Sequence, residues 1–393
     1  MYTALTENGE IIHLSSRYSK RSLERARRTC KFYCPVCKKE VRLKLGDHRM
    51  YHFSHIQQHQ CPHASEGETD YHHLGKKTLY DWLKTNGKLP QLEPYFQSIK
   101  QRPDVIVTEQ GKRYAIEFQC ANLSYQVLKK RTAGLHKEKT IPVWLIGANR
   151  LKRKTSQLFS FSALHWHMLR LSKEQRLLFF CPVTQAVIYL DHIIPFQSTK
   201  TCADIRVVSL RHFKGIIDLL QLPKPKQTHK HWSLCVRQFR RKPPRILTNE
   251  SKKLQQLFYT HHHTAFSFLP PEVFVPITSS YIFASPVYVW QGFIYDFIVR
   301  KMAHSSFTIK MLTTEIKKRI MNREIKLRYA CITSEQIEEV LYVYVSLLVQ
   351  QGFLACSEAG KYRLQMKTKP ILTLDEVMKL DSFLFNKHDS APL

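Results

Sequence analysis

The sequence lacks any run approaching the roughly 18 apolar residues of a membrane-spanning helix, which argues against an integral helical membrane protein. Its opening, MYTALTENGE, lacks the basic and apolar regions of a signal peptide. A cytoplasmic location is therefore expected, and with it few or no disulfides among the ten cysteines. Acidic residues are also scarce, 31 Asp and Glu against 61 Lys and Arg, for a formal net charge of +30. Such a field attracts polyanions, so nucleic acid is the leading partner; ribosomal RNA and an acidic membrane surface are the other partners such a chain could serve. The surplus is spread along the chain with no separate polybasic anchor, so no membrane partner is expected. A length of 393 residues with ordinary hydrophobic content allows two or three domains.

What is present begins with tightly spaced cysteines and histidines. Cys34 and Cys37 form a CxxC, and His52 and His55 an HxxH after the strand-like stretch Glu40 to Leu45 and a turn at Gly46 to Asp47. Two thiolates and two imidazoles suit tetrahedral Zn²⁺ in a structural role, with Cys30, Cys61 and His63 close enough to be alternative ligands. A redox pair would not need the histidines. The preceding flank, Arg17, Lys20, Arg21, Arg25, Arg27, Arg28 and Lys31, reads as a nucleic-acid contact or a solvated helix face.

After Cys61 the chain turns polar and then helical, with Leu74, Leu79, Trp82 and Leu83 on one face and a stop near Asn86 and Gly87. Glu68, His72 and His73 stand at the helix start, and Lys76 and Lys77 are candidate phosphate contacts. Next come RPDVIV from Arg102, a turn at Glu109 to Gly111, and a returning strand Tyr114 to Phe118. A hairpin there brings Asp104 and Glu117 to one edge, with Gln119 on the face of Glu117. Two facing carboxylates repel unless a hard cation such as Mg²⁺ offsets them; the alternative is a turn residue and an exposed strand residue. A helix from Ser124 to about Leu135, carrying Arg131, and a core strand Ile141 to Ile146 complete an α/β unit.

Ala4-x-x-x-x-Gly9, CPVC at Cys34 to Cys37, HFSH at His52 to His55, Glu68 with His72 and Gly75-Lys76, RPD at Arg102 to Asp104, IEFQ at Ile116 to Gln119, and Ser124 with Arg131 follow in order. Over roughly residues 1 to 150 this set resembles the competence protein CoiA family. The resemblance implies a PD-(D/E)xK restriction-endonuclease-like core and a cytoplasmic role in natural transformation, acting after DNA uptake to promote recombination. It implies Mg²⁺ or Mn²⁺ at Asp104 and Glu117, Glu68 completing the site or polarising water, Gln119 positioning water, and Lys76 or Arg131 holding the phosphate. The doubled histidine leaves the counterpart open between His72 and His73. Gln119 stands where many nucleases of this fold place a lysine, and a neutral amide cannot supply that charge.

The expected division is 1–64 with the zinc candidate, 65–155 as the nuclease-like core, 156–250 as an extension and basic connector, and 251–393 as a helical or winged-helix domain. Within the extension, Leu177 to Cys181 and Ala186 to Leu190 suggest a hairpin, and Cys181 and Cys202 read as packing residues. The basic stretch Leu222 to Arg245 carries Trp232 and Phe239, which could stack on unpaired bases. THHHT at Thr260 to Thr264 reads as a surface cluster rather than a metal site. Helices Thr313 to Ile320 and Ser334 to Gln350, then strands flanking Glu358 to Lys361, outline a winged helix with Lys361 and Arg363 on the wing. The functions that fit are a metal-dependent nuclease acting on incoming, single-stranded or branched DNA beside recombination proteins, a single-stranded-DNA-binding accessory protein that no longer cuts, and an RNA-processing or restriction-like nuclease.

Overall fold

The computed structural model describes residues 1–14, 18–46, 51–56, 61, 69–226, 230–357, 360–365 and 373–390. Arg17, Asp47, His63, Glu68 and Glu358 lie outside the described residues. The architecture is mixed α/β with a helical C-terminal region. Two compact units interleave along the chain: Met1–Leu151, Ala163–Asp191 and Ile205–Lys224 form one, and Lys152–Ser162, His192–Asp204 and Pro225–Leu393 the other. The segment 156–250 is therefore divided between both units rather than standing as a separate extension.

The first unit opens with β1 (Thr3–Thr6), β2 (Ile11–His13), α1 (Lys20–Thr29), β3 (Phe32–Tyr33), β4 (Glu40–Lys44) and β5 (His52–His55). The strands make an antiparallel sheet ordered β2-β1-β3-β4-β5. Strand β4 alternates exposed and buried residues, so Val41 and Leu43 enter the core while Arg42 and Lys44 face water. Helix α1 buries Leu23 alone, and Arg21, Arg25, Arg27 and Arg28 are exposed. These arginines of the basic flank lie on an exposed helix face.

Next follow α2 (Asp70–Thr85), β6 (Gln91–Leu92), β7 (Val105–Glu109), β8 (Lys112–Gln119), α3 (Tyr125–Lys137) and β9 (Thr140–Gly147). Strands β7 and β8 pair antiparallel around Gln110 and Gly111, both at positive φ, the conformation a two-residue hairpin loop favours. Helix α3 carries the chain over to β9, which runs parallel to β8. Strand β8 is buried from Tyr114 to Gln119, as a strand covered on both faces should be. Helix α2 comes so close to it that a Cβ on Gly75 would stand 2.0 Å from the Phe118 ring. Beyond β9 the chain forms β10 (Lys152–Arg153), β11 (Leu158–Ser160), α4 (Ala163–Leu171), β12 (Leu177–Cys181), β13 (Ala186–Pro195) and β14 (Lys200–Ser209). Strands β12 and β13 make the hairpin expected there, closing at Cys181 opposite Ala186, and β12 lies parallel to β9. The short helix α5 (Ile216–Leu220) is held by buried Glu109, which accepts from the Ile216 and Ile217 amides at 3.0 and 3.1 Å.

In the second unit, α6 (Lys230–Arg241), α7 (Asn249–His262) and α8 (Val287–Asp296) surround an aromatic core. Every residue of α8 is buried, as expected of a helix without a polar face. Trp232 and Phe239 belong to this core: the Trp232 indole donates to the Phe274 carbonyl at 2.6 Å, and Phe239 packs on Phe266, Phe274 and Tyr288. The expectation that they stack on bases is overturned, because they fill the inward face of an amphipathic helix whose Arg237 and Arg241 point out. His261 and His262 both reach Asp296 Oδ1, at 2.9 and 3.0 Å. The chain ends with α9 (Ile309–Met321), α10 (Ser334–Gln350), β15 (Leu354–Cys356), β16 (Tyr362–Leu364) and α11 (Leu374–Ser390). A capping box at Thr333 and Gln336 starts α10. Lys361 and Arg363 are exposed on the small hairpin. Buried Arg240 on α6 meets Asp381 on α11 with two bonds, of 2.5 and 2.7 Å.

Gly75→Ala should destabilise the first unit by about 1–3 kcal/mol, the usual cost of overpacking a closed contact. Chemical denaturation followed by tryptophan fluorescence would measure it, and an unchanged midpoint would contradict the close approach of α2 to β8.

Candidate functional site

Two sites in the first unit gather chemistry-bearing side chains. The first is a metal centre. The tight turn between β3 and β4 is closed by the Cys34 amide donating to the Lys39 carbonyl at 2.8 Å and the Lys38 amide to the Cys34 carbonyl at 2.9 Å, with Lys38 at positive φ. This turn presents Cys34 and Cys37, β5 presents His55, and Cys61 completes the set. Their ligand atoms all lie within 4.8 Å of one another, and Cys37 Sγ is 3.3 Å from His55 Nε2. The donors fit a structural zinc, whose bonds of about 2.0–2.3 Å close a tetrahedron of this size. Burial pushes the Cys34 thiol up to about 11, with the neighbouring Cys61 and Cys37 adding to the rise, so a thiolate there calls for a cation. Burial also lowers His55 from its ordinary range, helped by Arg102, which favours the neutral imidazole a metal requires.

The fourth ligand differs from the sequence expectation: Cys61 takes the place given to His52. Residues three apart on a strand leave from opposite faces, so an HxxH that would converge on a helix diverges on β5. His52 instead stacks on His73 of α2, ring centroids 5.3 Å apart.

The second site is a network of buried charge around Asp104. The β7–β8 register, Val105 opposite Ile116, carries one step further to set Asp104 beside Glu117. Asp104 Oδ2 accepts from the Phe118 amide at 2.8 Å and lies 3.3 Å from His72 Nε2, while Oδ1 is 3.8 Å from Lys76 Nζ. His72 and Lys76 share a face of α2, one turn apart. His73 points elsewhere, edge-on to Tyr2 and stacked on His52, so of the doubled histidine it is His72 that meets the carboxylate. Glu117 receives the Arg131 guanidinium of α3 at 2.5 Å, and that guanidinium also covers the Trp144 ring at 5.4 Å. Burial raises Glu117 to about 7 from the ordinary 4.5; the charge of Asp104 adds to the rise, and Arg131 and His72 oppose it.

Gln119 is buried at the end of β8, where its side-chain NH₂ donates to the Ala121 carbonyl at 2.8 Å. Lys76 is fully buried, so it is not open to a phosphate in this state. Lys77 pairs with Asp81 along the outer side of α2.

Glu93 escaped the sequence reading. Its carboxylate accepts from Lys76 Nζ at 2.5 Å and from the Tyr2 amide at 2.9 Å, lies 3.4 Å from Thr3 Oγ1, and stands 3.7 Å from the Arg102 guanidinium. Its own amide donates to the Asp104 carbonyl at 2.9 Å. The available signal was its isolation: it is the sole acidic residue between Asp81 and Asp104, set in the apolar context Leu92-Glu93-Pro94. Among the described residues no second group of three His, Cys, Asp or Glu side chains converges as the Cys₃His set does, and Asp104 with Glu117 stands as a pair. Among the described residues, too, no helix is long and apolar enough to cross a membrane.

Comparison with known proteins agrees along the chain. Residues 15–64 match the N-terminal domain of competence protein CoiA, residues 68–224 its nuclease-like domain, and residues 228–378 its C-terminal domain. The competence protein CoiA of Bacillus subtilis (strain 168) is 36% identical over 379 residues, covering 95% of this chain and 100% of that protein. No solved structure matches the chain.

Elemental analysis should find about one zinc per freshly purified chain. Cys61→Ser should lose it and His52→Ala keep it; the reverse pattern would restore the HxxH pair as ligands. The raised Glu117 value means that the folded state holds its proton more tightly than the unfolded chain does. The resulting stability is full below about pH 4.5 and is lost as pH rises through about 7. Metal-free wild type should therefore lose up to roughly 3 kcal/mol relative to Glu117→Gln across that window. Parallel denaturation curves at pH 5 and pH 8 measure the difference, and no change in the gap would contradict a protonated Glu117.

Proposed function

The chain belongs to the competence protein CoiA family, and from that premise we propose that it is a DNA-processing protein of natural competence whose first unit cuts DNA with a divalent metal. The observation that carries this reading is Asp104 standing beside Glu117 at the end of the β7–β8 hairpin, inside the order α2-β6-β7-β8-α3-β9. That order, with β8 and β9 parallel, is consistent with a PD-(D/E)xK nuclease-like core. The donors suit a hard cation: two carboxylates, one of them raised to about 7 because burial and its neighbour's charge disfavour a second negative charge. When bound, Mg²⁺ or Mn²⁺ at Asp104 and Glu117 would supply an acidified water and neutralise charge developing on the phosphate.

The chain's own residues have separable roles. Arg131 balances Glu117 and, released from it, supplies a guanidinium for a phosphate oxygen. Lys76, held by Glu93, keeps a positive charge beside Asp104 where Gln119 offers none. His72 orients the Asp104 carboxylate, and Gln119 shapes the end of β8. Glu68, outside the described residues, is assigned to completing the site. Lys361 and Arg363, on the exposed hairpin after α10, suit a winged-helix contact with DNA, single-stranded or branched, on which recombination proteins also act.

One observation favours a second reading, binding without cutting: Arg131 holds Glu117 at 2.5 Å, and the Gln119 amide is engaged with Ala121. Cleavage of single-stranded, duplex and branched DNA, and of RNA, with Mg²⁺, Mn²⁺ or chelator, separates the two. On the nuclease reading, Asp104→Asn and Glu117→Gln each lose about a hundredfold in rate with little change in affinity. Absence of metal-dependent cutting of every substrate, with binding unchanged in both variants, would leave the accessory binding role. Preference for RNA would point to an RNA-processing nuclease.

A further inference from the structure

We infer that Cys202 and Cys235 form a redox-active dithiol in the second unit, with Cys235 as the attacking thiol and Cys202 as the resolving one. The two are 33 residues apart, on β14 and α6, and neither belongs to a CxxC. Their sulfurs nevertheless stand 2.9 Å apart. Two sulfurs at that separation need only a small approach to reach the roughly 2.05 Å of a disulfide. Both are free thiols in this structure. Cys202 packs in the core of the second unit, as expected of a packing residue, and its neighbouring thiol is distant in sequence and adjacent in space.

The surroundings divide the labour. Cys202 is buried on β14, a strand flanked by β11 and β13 in the sheet. Cys235 is partly exposed and lines an open cleft of about 500 Å³ whose polar rim includes Gln197, Lys200, Gln238, Arg241 and Lys242. A small oxidant can reach Cys235 first. The Cys202 contact and the nearby Lys200 ammonium lower the Cys235 thiol from its ordinary value against the opposing effect of burial; the same contact, together with burial, raises Cys202. The accessible sulfur is thus the more thiolate-like, as an attacking cysteine should be.

The chemistry balances with a peroxide or with a small-molecule disulfide. With hydrogen peroxide, the Cys235 thiolate attacks one oxygen, the O–O bond breaks, and Cys235 becomes a sulfenic acid while hydroxide leaves. The Cys202 sulfur then attacks the sulfenic sulfur, forming the S–S bond and expelling the second oxygen. Each leaving oxygen takes up one of the two thiol protons, so two thiols and one peroxide give one disulfide and two waters. With oxidised glutathione, Cys235 first forms a mixed disulfide, releasing one glutathione thiol, and Cys202 displaces the second. The bridge ties α6, whose outer face carries Arg237 and Arg241, to β14.

The test uses the full-length, zinc-loaded, freshly reduced protein exposed to hydrogen peroxide or oxidised glutathione. Remaining thiols are then alkylated, and peptides are mapped without reduction. The peptides holding Cys202 and Cys235 should appear cross-linked, lighter by two hydrogens, and separate with dithiothreitol. Before oxidation, Cys235 should alkylate about tenfold faster than Cys202. In Cys202→Ser, Cys235 should stop at the glutathione mixed disulfide. The inference is overturned if wild-type Cys235 also stops there with Cys202 still alkylatable, or if the cross-link forms no faster than in urea-unfolded protein. The wild-type map decides the matter even where a variant folds poorly.

Discussion

The buried pair of Lys76 and Glu93 is the interaction on which the arrangement around Asp104 depends. Two charges removed from water are tolerated only when further bonds compensate their lost hydration. Here the compensation comes from separate parts of the chain: the backbone ahead of β1, the guanidinium of Arg102, and the helix that carries Lys76. Because the Glu93 amide also holds the Asp104 carbonyl, one residue joins the N-terminal segment, α2 and the β7–β8 hairpin. Breaking the pair from either side would strand a buried charge.

The two carboxylates of the hairpin are adjacent, yet they are held differently. Asp104 takes a backbone amide, a histidine and a share of the Lys76 charge. Glu117 is deeper and depends on one arginine from a different helix. Protonation, Arg131 and a metal ion are thus alternatives at the same oxygens. The resting site is balanced without a metal, and any divalent ion that enters must displace a proton or a guanidinium.

How much of this was legible in the sequence follows from how local each signal was. The hairpin bearing Asp104 and Glu117 could be read because turn, alternation and return strand fall within 16 residues, Asp104 to Gln119. The CxxC announced a metal site because its spacing makes a knuckle whatever lies beyond. HxxH misled, since its meaning depends on whether it sits on a helix or a strand. Trp232 and Phe239 misled because their basic neighbours suggested a stacking surface, while the period of α6 turns both rings inward. Cys61 could be named only among several alternative ligands, while Glu93 and the Cys202–Cys235 contact depend on pairings across tens of residues that no local pattern encodes.

Strand β5 presents His55 to the cysteines on one side and His52 to His73 on the other. Next to His73 along α2 is His72, which meets Asp104. A four-residue strand therefore touches both the cysteine cluster and, through His73, the helix that carries His72 and Lys76. The metal knuckle and the wall of the acidic pocket are built on one short piece of main chain.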